Sequence, residues 1–328
     1  MACSLAPLDR ALLDGFQRDF PLVPRPYRAI GGALGIGEAE VIARLARLAE
    51  AGAVARVGGT FRPNTAGAST LAAIAVPESR IEEVAAIVGA EEGVNHSYLR
   101  ENDWNLWFVA TGPDRAAVDA TLARLRDRTG LTVLDLPLVR PFNLDLGFAL
   151  DGASPQPPPR AADPTALQSG DRPILQALSD GLALVPHPYA TLAATLGRSE
   201  ADVLARIRAL LAAGLIGRLG VILRHRALGW TANAMVVWQL PEPAIPAAGA
   251  ALVTLPGITL CYQRRPAPPH WPYALYCMIH ARSRPEALAV LERAEAAAGL
   301  AGLPRAVLFS RRCFKQRGAL VLQRGAAA

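Results

Sequence analysis

One pattern occurs twice in this chain of 328 residues. VPRPY at Val23 to Tyr27 returns as VPHPY at Val185 to Tyr189, and EAEVIARLARLAEAG from Glu38 returns as EADVLARIRALLAAG from Glu200. Both pairs are 162 residues apart, so they mark one long duplicated unit rather than chance similarity. Further on, Tyr98 to Arg100 aligns with Tyr262 to Arg264, and LWF at Leu106 with LYC at Leu275, the spacing having grown through an insertion around PAPPHWP. Whatever one half folds into, the other must fold into as well.

Each copy opens with apolar residues three and four apart. This predicts helices over Leu8 to Asp19, Tyr27 to Leu34 and Glu38 to Glu50, with Gly52 and Gly214 at helix stops. AVARVGGTFRP then has a Gly-Gly turn between two short β-prone runs, the pattern of a two-stranded wing. After it come a strand (LAAIAVP), a helix (Ser79 to Ala90), a hairpin, a helix (Arg115 to Arg128) and a strand (LTVLDLPL). That βαββαβ order is ferredoxin-like. The second copy repeats it with ANAMVVWQLP, a helix after Pro243, TLCYQRR, YALYCMIH, a helix over Pro285 to Ala297, and RAVLFS. The expected class is α+β: a winged helix-turn-helix over 1–66, a ferredoxin-like domain over 67–150, a winged helix again over 165–229, and a second ferredoxin-like domain with its tail over 230–328. Between them DGASPQPPPRAADP, 151–164, is too rich in Pro, Ala and polar residues to hold a core and reads as a linker.

Apolar residues make up 52% of the chain, yet no run of 18 is uninterrupted, so a globular protein with no membrane partner is expected. The first residues, MACSLAPLDRALLDGF, lack a basic stretch followed by an apolar core, which points to a cytoplasmic address. Cys3, Cys261, Cys277 and Cys313 have no CxxC spacing, so neither a metal site nor a disulfide framework is indicated. Charge is uneven: 15 Arg face 18 acids up to residue 150, whereas 18 basic residues face 8 acids from residue 165 onward. All but Lys315 of the 34 cationic residues are Arg, the side chain suited to bidentate carboxylate or phosphate contacts, though a GC-rich genome gives the same bias.

The chemistry-bearing stretch is VNHSYLRENDWNLWFVA, Val94 to Ala110. Read at a period of two, it sends His96, Tyr98 and Arg100 to one face of a strand. After the polar turn at Asn102 and Asp103, WNLWFVA is aromatic and β-branched enough to pair back on it. An acid/base group, a phenol and a fixed cation beside Trp104 and Trp107 suit a flat aromatic ligand bearing carboxylates. An ordinary half-buried hairpin whose polar residues face water has the same pattern.

A winged helix followed by a ferredoxin-like domain resembles the leucine-responsive regulator (Lrp/AsnC) family, which raises DNA binding. The N-terminal residues of a recognition helix sit beside phosphates. Here those positions hold Glu38 and Glu40, and Glu200 and Asp202, which would repel them, so no DNA partner is expected.

A narrower resemblance rests on NHSYLRE and WNLWFVATGPD in the first copy, and on RHRALGW, NAMVVW, CYQRR, WPYALYCMIH and LFSRRCFKQRG in the second. In that order these motifs resemble the siroheme decarboxylases, whose fused two-copy form belongs to heme d1 biosynthesis. The resemblance implies removal of two acetate carboxyl groups from siroheme to give 12,18-didecarboxysiroheme, with siroheme as substrate and no separate cofactor. It further implies His96, Tyr98, Arg100 and His280 as catalytic candidates. Arg62, Trp104, Asn105, Trp107, Arg224, His225, Tyr262, Arg264, Arg265, Arg311 and Lys315 are the candidates for substrate binding. Two departures distinguish this chain: Asn102 stands where the first-copy motif usually has His, and Ala274 where the second commonly has Asn. A ligand-responsive regulator and a catalytically idle tetrapyrrole binder are the alternatives. A duplicated chain can form internally the pairing that Lrp-like subunits make between polypeptides, leaving a monomer, a homo-oligomer or a pair with a homologous subunit open.

Overall fold

The structure, a computed structural model, describes residues 5–145, 147, 150 and 161–322. Most of the expected linker therefore lies outside the described residues. The first copy runs α1 (Pro7–Gly15), α2 (Pro26–Leu34), α3 (Glu38–Glu50), β1 (Val54–Phe61), β2 (Ala68–Ile74), α4 (Ile81–Ala90), β3 (Val94–Arg100), β4 (Leu106–Gly112), α5 (Arg115–Thr129) and β5 (Val133–Asn143). The second runs α6 (Asp171–Asp180), α7 (Pro188–Thr195), α8 (Glu200–Ala212), β6 (Ile216–Leu223), β7 (Ala232–Trp238), α9 (Ile245–Leu252), β8 (Ile258–Arg264), β9 (Leu275–Ala281), α10 (Arg284–Ala298) and β10 (Arg305–Gln316). The βαββαβ order is present in both copies. The chain divides at Ala66/Gly67 and Gly229/Trp230, but into two compact units rather than four: one combines both helical parts, the other both sheets.

In the helical unit the two copies interlock through matching phenols. Tyr27 donates to the Ala183 carbonyl at 3.0 Å and Tyr189 to the Pro21 carbonyl at 3.1 Å, the same bond made in both directions. The expected wing is not a hairpin within each copy. β1 is one continuous strand through Gly58 and Gly59, and it pairs antiparallel with β6, Gly58 facing Gly220. These glycines are not turn residues. A methyl group at Gly58 would collide with the Leu178 carbonyl, and one at Gly220 with the Gln17 carbonyl, so both permit close backbone approach at the ends of α6 and α1. At the helix starts, Glu38 pairs with Arg25, whose guanidinium holds the carboxyl below its ordinary range, and the Ser199 side chain caps α8.

The other unit is a closed eight-stranded barrel in the order β10-β3-β4-β2-β5-β8-β9-β7. Each ferredoxin-like sheet alone would leave two open edges. β5 and β10 continue past the predicted LTVLDLPL and RAVLFS, and those extra residues form the seams: Leu138 to Asn143 against β8, Ser310 to Gln316 against β3. Both seams carry register shifts at matching places, Leu138/Arg140 with Pro141/Asn143, and Ser310/Arg312 with Cys313/Lys315. Because all neighbours are antiparallel and the order repeats after four strands, a half-turn about the barrel axis relates the two sheets. Alternation along each strand separates two kinds of core. Ile74, Phe108 and Ala110 pack outward with Val84, Val88 and Leu122 of α4 and α5, and Val236, Trp238 and Cys277 do the same with Leu252 and Leu291 of α9 and α10. Inside lie Leu71, Trp107, Leu136, Met235, Tyr262, Tyr276, Met278 and Leu308.

The PAPPHWP insertion closes the hairpin end. Its Trp271, 2% exposed, donates to the Tyr276 hydroxyl at 2.7 Å and meets Trp107 and Tyr273 edge-on with centroids 4.9 Å apart. The first copy has only the short turn from Glu101 to Asn105 at this place, held by Asn102, whose side chain accepts from the Trp104 N–H at 3.0 Å.

Candidate active site

On β3, Tyr98 stands opposite Trp107 and His96 opposite Val109. Cross-strand partners share a face, and Trp107 is inside, so His96, Tyr98 and Arg100 line the barrel interior together. The His96 and Tyr98 rings are near-parallel, 9° apart with centroids separated by 6.4 Å. Both side chains are half-buried, whereas Arg100 is buried. Its Nη1 donates to the Leu308 carbonyl at 3.3 Å, Nη2 lies 4.0 Å from the Met278 sulfur, and its guanidinium carbon is 5.5 Å from the Tyr98 centroid.

The related residue Arg264 is placed by the same rules. Its Nη1 donates to the Leu136 carbonyl at 2.8 Å, and it sits over the Tyr262 ring at 4.8 Å. Leu136 and Leu308 hold corresponding places on β5 and β10. Burial pushes the Arg264 guanidinium below its ordinary range, and its Nε is buried with no hydrogen bond. Burial also raises the Tyr262 and Tyr276 phenols, so both stay protonated, and their rings stack at 5.5 Å. The interior thus holds two guanidiniums bonded to backbone carbonyls. Anionic groups are the ligands such sites lack.

His280 follows Tyr276 and Met278 on the interior face of β9, opposite Asn233 of β7. Its Nδ1 is 2.7 Å from the Thr259 Oγ1, which also donates to the Met278 carbonyl at 3.1 Å. Burial and then the Arg100 charge lower its pKa from 6.5 to about 4. His280 is therefore neutral near pH 7, a proton acceptor rather than an acid. The folded state resists protonation that the unfolded state accepts, so stability is complete above pH 6.5 and falls as pH drops from 6.5 towards 4. The loss attributable to this one residue is about 3 kcal/mol. Urea titrations between pH 7 and 4.5 should show a shallower decline for His280→Gln than for the parent; equal slopes would remove the residue from the acid sensitivity.

The half-turn exposes an asymmetry. Leu260 occupies the place of His96, and Thr111 that of His280. The Thr111 hydroxyl is committed, donating to the Gly93 carbonyl at 3.1 Å and accepting from the Leu320 N–H at 2.9 Å. The two imidazoles carried on barrel strands, His96 and His280, therefore belong with Arg100, which reaches Met278 and Leu308, whereas His270 lies at the hairpin end against Trp104. Among the described residues, no such pair faces Arg264.

The remaining candidates fall into distinct places. Trp107 is in the barrel core, and Trp104 at the hairpin turn accepts the Trp107 indole N–H on its carbonyl. The Asn105 amide is used structurally, donating to the Val76 carbonyl at 2.8 Å and accepting from its N–H at 3.0 Å. Ala274 at the corresponding turn keeps only backbone bonds, its N–H to the Trp238 carbonyl and its carbonyl to Arg264. Arg265 is exposed just after β8. Arg311 lies 3.8 Å from Glu78 on the outside, and neighbouring Arg312 pairs with Glu82. The Lys315 ammonium caps the end of α4, donating to the carbonyls of Gly89 at 2.8 Å and Glu91 at 2.7 Å, so it serves the helix C-terminus rather than a ligand. Arg62, Arg224 and His225 belong to the helical unit, His225 opening a short 3-10 turn to Leu228. Thr259, Asn233 and Trp271 were not singled out from sequence; the first two matter only through their register with His280. Among the described residues, no group of three or more His, Cys, Asp or Glu is placed to hold a metal ion. No helix among them is long and apolar enough to cross a membrane.

A duplicated helix-turn-helix chain whose ferredoxin-like halves close a barrel around inward-facing arginines is a fused Lrp/AsnC-type protein with a ligand-binding barrel. Residues 66–143 and 227–315 match the AsnC-like ligand binding domain family, and residues 9–54 and 171–216 the siroheme decarboxylase NirDL-like HTH domain family. The siroheme decarboxylase NirDL subunit of Paracoccus denitrificans (strain Pd 1222) is 60% identical over 96% of this chain and 98% of its own length. The NirD subunit of Stutzerimonas stutzeri is 52% identical over 45% of this chain and 97% of its own length, so one copy alone corresponds to a separate subunit there. A crystal structure of the siroheme decarboxylase NirDL with an iron-uroporphyrin III analogue superposes with a TM-score of 0.68 at 28% identity, covering 94% of this chain and 92% of the other. The chain belongs to the siroheme decarboxylase family.

Proposed function

We propose that this protein is a carboxy-lyase that removes two acetate carboxyl groups of siroheme as carbon dioxide, giving 12,18-didecarboxysiroheme for heme d1 synthesis. The observation that carries the reading is the interior row His96, Tyr98 and Arg100, together with neutral His280 and half-buried Arg264. Siroheme brings eight carboxylates, and Arg100 and Arg264 supply charge-assisted donors for them. In each step the carbon–carbon bond to the carboxylate breaks and its electron pair enters the protonated pyrrole-type ring. One proton then converts the remaining methylene into a methyl group while the ring gives back the proton it had taken up, so each step consumes one proton and releases one carbon dioxide. His96, half-buried on the interior face, is the donor; Tyr98 stacked beside it orients that transfer. His280, held neutral, cannot supply the same proton near pH 7.

The test is anaerobic incubation of the full chain with siroheme and mass analysis of the pigment. Loss of two carbon dioxide masses is expected. Unchanged pigment together with salt-dependent retardation of promoter DNA would replace this reading by a ligand-responsive regulator, and bound but unchanged pigment by an idle binder. A second measurement concerns Arg264. Arg264→Met removes a half-buried cation whose Nε is buried without a hydrogen bond, so the barrel should become more stable by about 1–2 kcal/mol while siroheme affinity drops about 10- to 100-fold. Lower stability with unchanged affinity would assign Arg264 to packing instead.

A further inference from the structure

The half-turn of the barrel creates two places that start alike. Arg100 and Arg264 sit over Tyr98 and Tyr262 and donate to the Leu308 and Leu136 carbonyls. β3 and β8 both shift register a little earlier, between Val94 and His96 and between Ile258 and Leu260, so Asn95 and Thr259 are extra residues in their strands. Matching bulges leave matching positions beyond them, and His96 faces Val109 as Leu260 faces Met278. One place therefore has an imidazole near its arginine, and the other an isobutyl group that neither gives nor takes a proton. The chain has five His. His187 and His225 belong to the helical unit, His270 lies exposed against Trp104 at the hairpin end, and His280 is kept neutral on β9. None of them stands where Leu260 does.

Siroheme has a near-symmetry of its own. The 12- and 18-acetates are on neighbouring rings, and turning the macrocycle over about the line between those rings exchanges them. A barrel with two equal places could strip both acetates in one visit, whereas this barrel delivers a proton at one place alone. We propose that Leu260 makes the second place a holding site, so that both carboxyl groups leave beside His96, in two separate visits of the pigment. The first visit breaks one carbon–carbon bond, releases one carbon dioxide, consumes one proton and leaves a pigment with one carboxylate fewer; His96 regains its proton from solvent. Bringing the second acetate to His96 requires the macrocycle to turn over, which breaks its charge-assisted bonds to Arg100 and Arg264 together. That is dissociation. The singly decarboxylated pigment is thus a released species that competes with fresh siroheme for the same site. This inference rests on the siroheme reading and deepens it by assigning chemistry to the first copy's place and grip to the second's.

The experiment follows pigment masses in time during anaerobic turnover by the full chain, with siroheme in large excess. The species that has lost one carbon dioxide should rise above the protein concentration before the species that has lost two accumulates, which a bound intermediate cannot do. A second run loads siroheme onto an excess of the parent and then adds the His96→Ala variant in about tenfold excess, because variants of one site associate at similar rates and capture released pigment in proportion to concentration. The second loss should slow about tenfold while the first is unchanged. A singly decarboxylated pigment that never exceeds the protein, with a second loss indifferent to the trap, would overturn the inference and leave the siroheme reading standing. Absence of any carbon dioxide loss in both runs would defeat the siroheme reading and this inference with it.

Discussion

Replacing His96 by Ala is expected to slow siroheme decarboxylation about 10²- to 10⁴-fold while pigment affinity stays within about tenfold of the parent. Among the described residues, proton delivery to the new methyl group has no substitute beside His96 on the interior face, and His270 lies exposed at the hairpin end against Trp104, with ring centroids 5.8 Å apart. Tyr98 is a phenol, Arg100 is a fixed cation, and His280 is neutral because burial and Arg100 hold its pKa at about 4. The hairpin leaves no second histidine either, since Asn102 turns its side chain back onto the Trp104 N–H. Binding is largely independent of His96, because the charge-assisted contacts come from arginines on β3 and β8. Single-turnover carbon dioxide release and a parallel absorbance titration separate the two quantities. Near-parental turnover would remove His96 from the chemistry; parallel collapse of affinity would make it a binding residue. A solvent isotope effect on the parent that vanishes in the variant would further mark the proton step as the one affected.

Much of this arrangement was legible in the chain because it depends on short periods and on repetition. Alternation alone put His96, Tyr98 and Arg100 on one face, and the duplication paired Arg100 with Arg264 before any strand was placed. The wing is not legible in sequence because Gly58 and Gly59 carry the signature of a turn, whereas Gly58 supplies room for the Leu178 backbone; only the partner strand from the other copy reveals this. The seams were missed for a related reason. RPFN after Leu138 and RRCFKQ after Ser310 do not alternate cleanly, since each seam contains two bulges, and a bulge breaks the period by which strands are recognised. Lys315 reads as a ligand-seeking cation in a basic tail, yet its strand brings it to the carbonyls that end α4. Charge fixes what a side chain attracts; register decides what it meets. Thr259 is the extreme case, an unremarkable residue in sequence whose bond to His280 exists only because one strand is a residue too long.

Trp271→Ala should destabilise the barrel by about 3–5 kcal/mol, the cost of emptying a large buried aromatic site. The side chain is 2% exposed and fills the hairpin end between Trp107, Tyr273 and Tyr276. Its loss also leaves the Tyr276 hydroxyl without the indole N–H it accepts. The melting temperature should fall by roughly 6–20 °C on the scaling for domains of this size, read by calorimetry as the transition of the sheet unit. Trp271→Phe keeps most ring contacts and forfeits one hydrogen bond, so it should recover all but about 1–2 kcal/mol. Function follows through a short chain of contacts: Tyr276 stacks on Tyr262, and Tyr262 underlies the Arg264 guanidinium. An insertion present in one copy thus braces the arginine of the side that lacks both imidazoles. The alanine variant, assayed well below its melting temperature, should lose affinity for siroheme before it loses turnover at saturation. Unchanged stability would mean that the hairpin end is not packed as described, and a fall in saturated turnover with intact affinity would place Trp271 nearer the reacting acetate than the Arg264 contact chain allows.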